Sequence, residues 1–373
     1  MKINFNSEDK KKYLKLIDTK EVNIAVASMF MEYNTYFKVV NEKEIKNSKN
    51  EIEAYLNSFL EFFEIDRSNK ENAEIIQKSI IPAFQKVDSS IFDNDAYYQT
   101  IKIGTINDKE YFLGNIKYHP YQSFAYNDAL VLDDDYYREI SQIGYLDHEI
   151  SFSAICKDNV IWMSNTPNEM LTIMPSIKRS FGKVITFGLG LGYYPFMCSL
   201  KDEVESITVV EYDKNIINLF NKYLLPLFPN KEKIKIIHAD AYEYLKNNNI
   251  NDLFDFAFID IWHNGDDGLA HYIHFKHFEE SKHCKIEYWL EDSIICMARR
   301  CLLVVIEEII NGAGDNDFKI ANDEISEIIN DLYFYFKDYT INSYDELHKL
   351  LSKESLINIL TNIGKMKYSK KDH

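Results

Sequence analysis

Apolar residues three and four positions apart recur from the start of the chain. EIEAYLNSFLEFFEI (51–65) and ENAEIIQKSIIPAFQKV (71–87) both carry them, and residues 8 to about 90 read as helical. From about 96 to 163 the period shortens to two. YYQTIKIGTINDKEYFLGNIKY reads as a hairpin turning at TINDKE, and EISFSAICKDNVIWMS as another turning at KDN. TPNEM then opens a helix: Thr166 is the N-cap, Pro167 takes the first helical position, and Glu169 completes a capping box. Over 184–261 strands and helices alternate. Strand KVITFG leads through a glycine loop to a helix from Tyr194. Strand SITVVEY (206–212) precedes helix KNIINLFNKYLL, strand KIKIIHA (233–239) precedes helix AYEYLKN, and strand FDFAFIDI (254–261) follows. Nearly unbroken apolar strands between helices predict a parallel sheet covered on both faces, with right-handed crossovers. Beyond 261 the chain reads as mainly helical, with one further strand expected at KIEYW (285–289) and a frayed end at SKKDH.

Composition narrows the partners. A chain of 373 residues with 46% hydrophobic content is long enough for two or three domains with sizeable cores. Its net charge of −17 argues against nucleic acid, whose binding relies on Lys and Arg at phosphates, and against anionic membrane surfaces. A neutral or cationic small molecule is compatible. The five cysteines are odd in number and include no C-x-x-C pair, which fits a reducing compartment without structural disulfides. MKINFNSEDKKKYLK lacks the apolar stretch of a signal peptide, and CLLVVI (301–306) is far too short to span a bilayer. A soluble cytoplasmic protein is expected.

The candidate chemistry gathers where the strands end. VITFGLGLGYYPF places three of the chain's twelve glycines, Gly188, Gly190 and Gly192, between a buried strand and a helix start. Such a loop lets a ligand approach backbone N–H groups. Its spacing is G-x-G-x-G, with Tyr193 where a dinucleotide fingerprint would have glycine. The second strand ends at Glu211, 19 residues past Gly192, where a carboxylate can take both hydroxyls of a ribose. The third ends in HAD, so Asp240 lies where an adenine amino group would sit and the backbone of Ala241 could meet the ring. The fourth ends at Asp260, beside the first strand at the topological switch point.

These four features in order resemble the class I S-adenosylmethionine-dependent methyltransferases. HADAYEYLK, and the strand-rich region ahead of the nucleotide domain, are similar to the spermidine synthase branch. The resemblance covers roughly 160–290, under half the chain. It implies a Rossmann-like domain over 166–310, preceded by a helical region (1–95) and a strand-rich segment (96–165) and followed by C-terminal helices (311–373). It also implies S-adenosylmethionine as donor, Gly188, Gly190 and Gly192 against its methionine part and ribose, Glu211 on the ribose and Asp240 on the adenine. The chain departs from the pattern in several places. Thr186 stands where many methyltransferases have an acid, and Leu191 replaces the aspartate of the spermidine synthase loop. His263 stands at the second acid of that branch's strand-four motif, no proline follows, and the N/D-P-P-Y of amino-methylating nucleic-acid enzymes is absent. No sixth or seventh strand is legible.

DIWHNGDDG (260–268) leaves the sheet where a transferred group would sit. Asp260 can orient or deprotonate an acceptor, His263 is a second candidate base, and Trp262 offers an apolar or cation–π wall. Asp266 and Asp267 could hold a cationic substrate, or belong to an ordinary polar turn. His271, His274 and His277 share a helical spacing but lack a completing acid or cysteine, so a metal site is not expected. The leading expectation is methyl transfer to a small, cationic or neutral acceptor. Aminopropyl transfer from the decarboxylated donor is the alternative, and a non-catalytic scaffold that keeps the nucleotide pocket is a third reading. The oligomeric state is not encoded in any pattern of the sequence.

Overall fold

A computed structural model describes residues 1–36, 39–108, 110–132, 134–158, 160–279, 283–319 and 321–368. After a two-residue strand at Lys2–Ile3 that pairs with Thr340–Ile341, helix α1 covers Ser7–Tyr36, and α2 (Glu51–Phe62) begins at Asn50, whose side chain accepts from the Glu53 amide. The buried stripe of α2, including Tyr55, Phe59 and Leu60, packs with Phe30, Tyr33 and Phe84 into a small aromatic core. The helix expected over 71–87 does not persist. It widens at Ile76–Ile80, tightens at Ile81–Ala83, and gives way to a strand at Phe84–Lys86 that pairs in parallel with Ile143–Tyr145. Pro82 has no N–H to continue the helical ladder.

Helix α3 (Ala96–Thr100) occupies residues read as strand, because Asp95 caps it by accepting from the Tyr98 amide. Strands β1 (Ile106–Asp108), β2 (Tyr111–Tyr118), β3 (Ile150–Lys157) and β4 (Val160–Ser164) form an antiparallel sheet in the order β4-β3-β2-β1. The second expected hairpin is present, whereas the first is shorter than expected: its leading strand is only Ile106–Asp108, inside the stretch read as the turn. Lys109 and Asn159 in their turns, and the SKKDH end, lie outside the described residues.

Helix α4 (Pro167–Arg179) starts at the expected cap, with Thr166 Oγ1 accepting from the Glu169 amide at 3.4 Å. It leads into a five-stranded parallel sheet of β5 (Gly182–Phe187), β6 (Val204–Glu211), β7 (Ile234–His238), β8 (Phe256–Ile259) and β9 (Lys285–Tyr288), ordered β7-β6-β5-β8-β9. Register runs Val184↔Ile207 on one side and Val184↔Phe256 on the other. The chain moves outward from β5 to β7, then crosses back to lay β8 on the other flank of β5, so the switch point falls between β5 and β8. Connecting helices are α5 (Tyr193–Ser199), α6 (Lys214–Leu219), α7 (Ala241–Asn247) and α8 (Gly265–His277). Val184, Ile185, Phe187, Phe256, Ala257 and Ile259 are completely buried, as a sheet covered on both faces requires. Each such large side chain contributes about 1.5–3 kcal/mol by leaving water.

The chain ends in helices α9 (Glu291–Ile310), α10 (Glu324–Tyr335) and α11 (Lys353–Tyr368), with a short helix at Tyr344–Leu350 between the last two. One large core joins Tyr13, Tyr97, Phe152, Phe187, Ile306 and Leu356, drawn from every segment of the chain. Among the described residues no helix is long and apolar enough to cross a membrane, and all five cysteines are free thiols.

Candidate functional site

The C-terminal ends of β5, β6, β7 and β8 open onto a single cavity of about 610 Å³. Its other walls are β4, the start of α4, and Trp289 beyond β9. Parallel strands all direct their carboxyl ends to one edge, so residues far apart in sequence meet there for topological reasons.

The glycines of the loop after β5 do three different things. Gly190 lies at φ +51°, and a Cβ built on it meets nothing within 4 Å, so it is the glycine that leaves open space in the cavity wall. Gly188 also lines the cavity, but a Cβ there would sit 2.0 Å from the Asp260 carbonyl oxygen. Its bare backbone is what lets the ends of β5 and β8 touch. The expectation that Gly192 makes room for a ligand is corrected: it lies outside the cavity wall, and a Cβ there would strike the Phe220 ring at 2.3 Å. That glycine serves packing. Tyr193 and Tyr194 both line the cavity, and Tyr194 stacks on Phe258 at 4.4 Å between ring centroids.

Glu211, at the end of β6, lines the cavity with its carboxylate already engaged. It accepts from the Leu189 amide at 3.0 Å and from the Asp213 amide at 2.7 Å, which binds it to the glycine loop. Burial raises its pKa, and these N–H groups pull it back. Asp240 caps α7, accepting through one oxygen from the Tyr242 and Glu243 amides at 2.9 and 3.0 Å. It and Ala241 line the cavity beside Glu211.

Asp260 is different. Among the described residues none donates a hydrogen bond to its carboxylate, and burial alone pushes its pKa up to about 7. A second acid joins it, one the sequence reading assigned only to a helix cap. Glu169 turns its side chain into the cavity, where burial, and then the Asp260 charge, push its pKa up to about 8. The Thr166 amide and the Ser164 hydroxyl oppose that rise. The capping signal in TPNEM fully accounts for a glutamate at this position, so only the fold could reveal its second role.

His263 reaches the cavity mouth but is mostly exposed. Its Nδ1 lies 2.9 Å from Asp267, which also accepts from the His263 and Asn264 amides. Asp267 therefore belongs to the capping box of α8, and neither it nor Asp266 lines the cavity. NGDDG is the cap and first turn of α8. Trp262 is buried in the cavity wall with its indole N–H donating to the Trp289 carbonyl at 3.1 Å. Of the three spaced histidines only His271 lines the cavity, its Nδ1 2.5 Å from the Tyr242 hydroxyl. No group of acids, histidines and cysteines suited to a metal occurs among the described residues. Thr186 and Leu191, the two departures within the loop region, are buried residues of the cavity wall.

Residues 168–318 match the Spermine/spermidine synthase domain family, under half of the chain. No curated protein matches the sequence. Among solved structures the chain is similar to spermidine synthase from Thermotoga maritima, at 21% identity and TM-score 0.24, over 30% of this chain and 43% of that one. A spermidine synthase in complex with the transition state analogue AdoDATO matches at 21% identity and TM-score 0.25, over the same shares. A "putative O-methyltransferase from Klebsiella pneumoniae" matches at 13% identity and TM-score 0.27, over 47% of this chain and 69% of that one. The chain thus spans less than half the length of the first two structures it resembles. Residues 168–318, which contain the five-stranded parallel sheet and the cavity at its switch point, are thus the part of the chain similar to the Spermine/spermidine synthase domain family.

Proposed function

We propose that this protein transfers an alkyl group, a methyl group in the first reading, from S-adenosylmethionine to a small acceptor bearing a basic nitrogen. The observation that carries the reading is the charge of the cavity. Glu169, Glu211, Asp240 and Asp260 line it, and none of the described lining residues is Lys or Arg. Four carboxylates beside the indoles of Trp162, Trp262 and Trp289 favour cationic guests, a sulfonium on one side and an ammonium on the other.

The residues present fit the donor's nucleoside. Gly190 leaves the room, Glu211 is held in one direction by two amides to receive ribose hydroxyls, and Asp240 with Ala241 meets the adenine. A bound sulfonium supplies an activated carbon with a neutral thioether as leaving group. Transfer breaks the carbon–sulfur bond and forms a carbon–nitrogen bond, and the proton displaced from the acceptor nitrogen goes to Asp260. A carboxyl whose pKa lies near 7 is well matched to taking that proton at neutral pH. His263, exposed and tied to Asp267, takes a secondary part at the mouth.

The same charge pattern favours a second reading. The intact donor carries a carboxylate that finds no Lys or Arg in the lining, whereas the decarboxylated donor does not need one. Aminopropyl transfer is therefore the alternative reaction. Titration calorimetry with the two donors side by side tests both. Tighter binding of S-adenosylmethionine supports methyl transfer, tighter binding of the decarboxylated form supports aminopropyl transfer, and binding of neither removes the transferase reading in favour of a scaffold.

A further inference from the structure

One short stretch outside the parallel sheet holds two walls of the cavity at once. Asp95 is buried and uses both carboxylate oxygens: one accepts from the Tyr98 amide at 3.1 Å, the other from the Tyr193 hydroxyl at 2.9 Å. Tyr97, completely buried, donates its hydroxyl to the Leu191 carbonyl at 2.7 Å. Its ring stands edge-on to Tyr193 and Phe196, at 5.4 and 5.2 Å between centroids. Tyr98 donates to the Asn165 carbonyl. Leu191 and Tyr193 belong to the glycine-loop wall, and Asn165 to the wall formed by the end of β4. Asp95, Tyr97 and Tyr98 themselves do not line the cavity.

A loop with glycine at every second position has only Leu189 and Leu191 to pack between the glycines, and each glycine loses more conformational entropy on ordering than any other residue. Its fixed shape must come from neighbours. Glu211 holds Leu189 at one end of the loop, and the tyrosine hydroxyl and the aspartate hold Leu191 and Tyr193 at the other. We propose that Asp95, Tyr97 and Tyr98 are positioning residues of the donor site: they fix the exit of the glycine loop against the end of β4, so that the donor meets a formed pocket. The proposal deepens the group-transfer reading and rests on it for the identity of the ligand.

The test compares Tyr97→Phe and Tyr193→Phe with Tyr55→Phe. Tyr55 is a matched control, completely buried, with its hydroxyl donating to the Tyr121 carbonyl at 2.6 Å in the separate aromatic core. Three quantities are read on the full chain: melting temperature, amide hydrogen exchange of residues 188–193, and affinity for S-adenosylmethionine and its decarboxylated form. All three variants are expected to melt lower. Only Tyr97→Phe and Tyr193→Phe are expected to speed exchange in the loop and to weaken the tighter-binding donor by about tenfold, the scale of one buried hydrogen bond. Asp95→Asn, which keeps an acceptor oxygen, should recover much of the affinity that Asp95→Ala loses. Loop exchange and donor affinity in Tyr97→Phe no different from those in Tyr55→Phe would overturn the proposal. Should the wild type bind neither donor, the group-transfer reading fails alone, and the exchange measurement still decides whether these residues set the loop.

Discussion

Glu211 and Asp260 close the two strands that flank β5, and both face one cavity. Their surroundings differ. Two amides hold the Glu211 carboxylate, at 3.0 and 2.7 Å, while none of the described residues donates to Asp260. Burial raises the pKa of each, but only Glu211 has N–H groups pulling it back. A carboxylate gripped by amides keeps one direction and favours its charge, which suits recognition of hydroxyl groups. A carboxylate without such partners, its pKa raised by desolvation, has the properties a group that gives and takes a proton needs. The end of a parallel strand offers the same position to both residues, and the nearby backbone gives them different surroundings.

Asp260→Asn strikes the reactive half of this pair hardest. Turnover is expected to fall about 10²–10⁴-fold, with donor affinity unchanged, as measured with labelled donor in a cell extract followed by mass spectrometry of modified products. Undiminished turnover removes Asp260 from the chemistry. Gly190→Val attacks the binding half by placing a side chain in the open space. Donor affinity should drop about 100-fold or more, roughly 2.7 kcal/mol, while circular dichroism stays that of the folded chain. A folded variant that binds normally would show that the donor lies elsewhere.

Glu211→Ala sharpens the comparison. A loss of about 1.5–3 kcal/mol in nucleoside binding is expected, and the 2′-deoxy nucleoside should then lose little more. An equal deoxy penalty in wild type and variant would mean that Glu211 does not read the ribose and only braces Leu189. Glu169→Gln probes the second acid through stability. Glu169 and Asp260 both lie above their unfolded pKa values, so the native state keeps protons that the unfolded chain sheds. The stability this gives is complete below about pH 4 and is lost as pH rises through the folded values. Glutamine cannot ionise, so its advantage over wild type should grow from acid to mildly alkaline pH by up to about 1.4 kcal/mol per unit. Urea melts at several pH values read this directly, and parallel profiles would falsify the buried-pair assignment. The smallest effect is expected from His263→Ala: less than about a threefold change in turnover, well short of a lost general base.

Most of the parallel sheet was legible because a strand buried on both faces writes an unbroken apolar run, and an acid that ends the run stands out against it. Glu211, Asp240 and Asp260 were found that way, and all three reach the cavity. Glu169 was hidden by a local signal that explained it too well: TPNEM reads as a cap, and nothing in five residues says that the cap will sit above the end of β8. Gly192 was misread for the converse reason. Three evenly spaced glycines look alike in sequence, but only neighbours brought in from α6 onward, the rings of Phe220 and Phe228, separate a packing glycine from one that borders open space. The errors at 97–100 and 84–86 are local as well. Asp95 as a cap outweighed the strand-like tyrosines, and Pro82 stopped a helix that periodicity alone would have continued.

Gly188 carries a consequence for how such a site can change over generations. Its missing methyl group is what brings the loop that would receive a donor to within touching distance of the residue that would act on an acceptor. Every other amino acid at 188 would wedge the two strand ends apart and lengthen the path along which an alkyl group must pass. Variation in the surrounding pocket can retune which molecules enter, while the span between the two partners stays set by a single hydrogen atom.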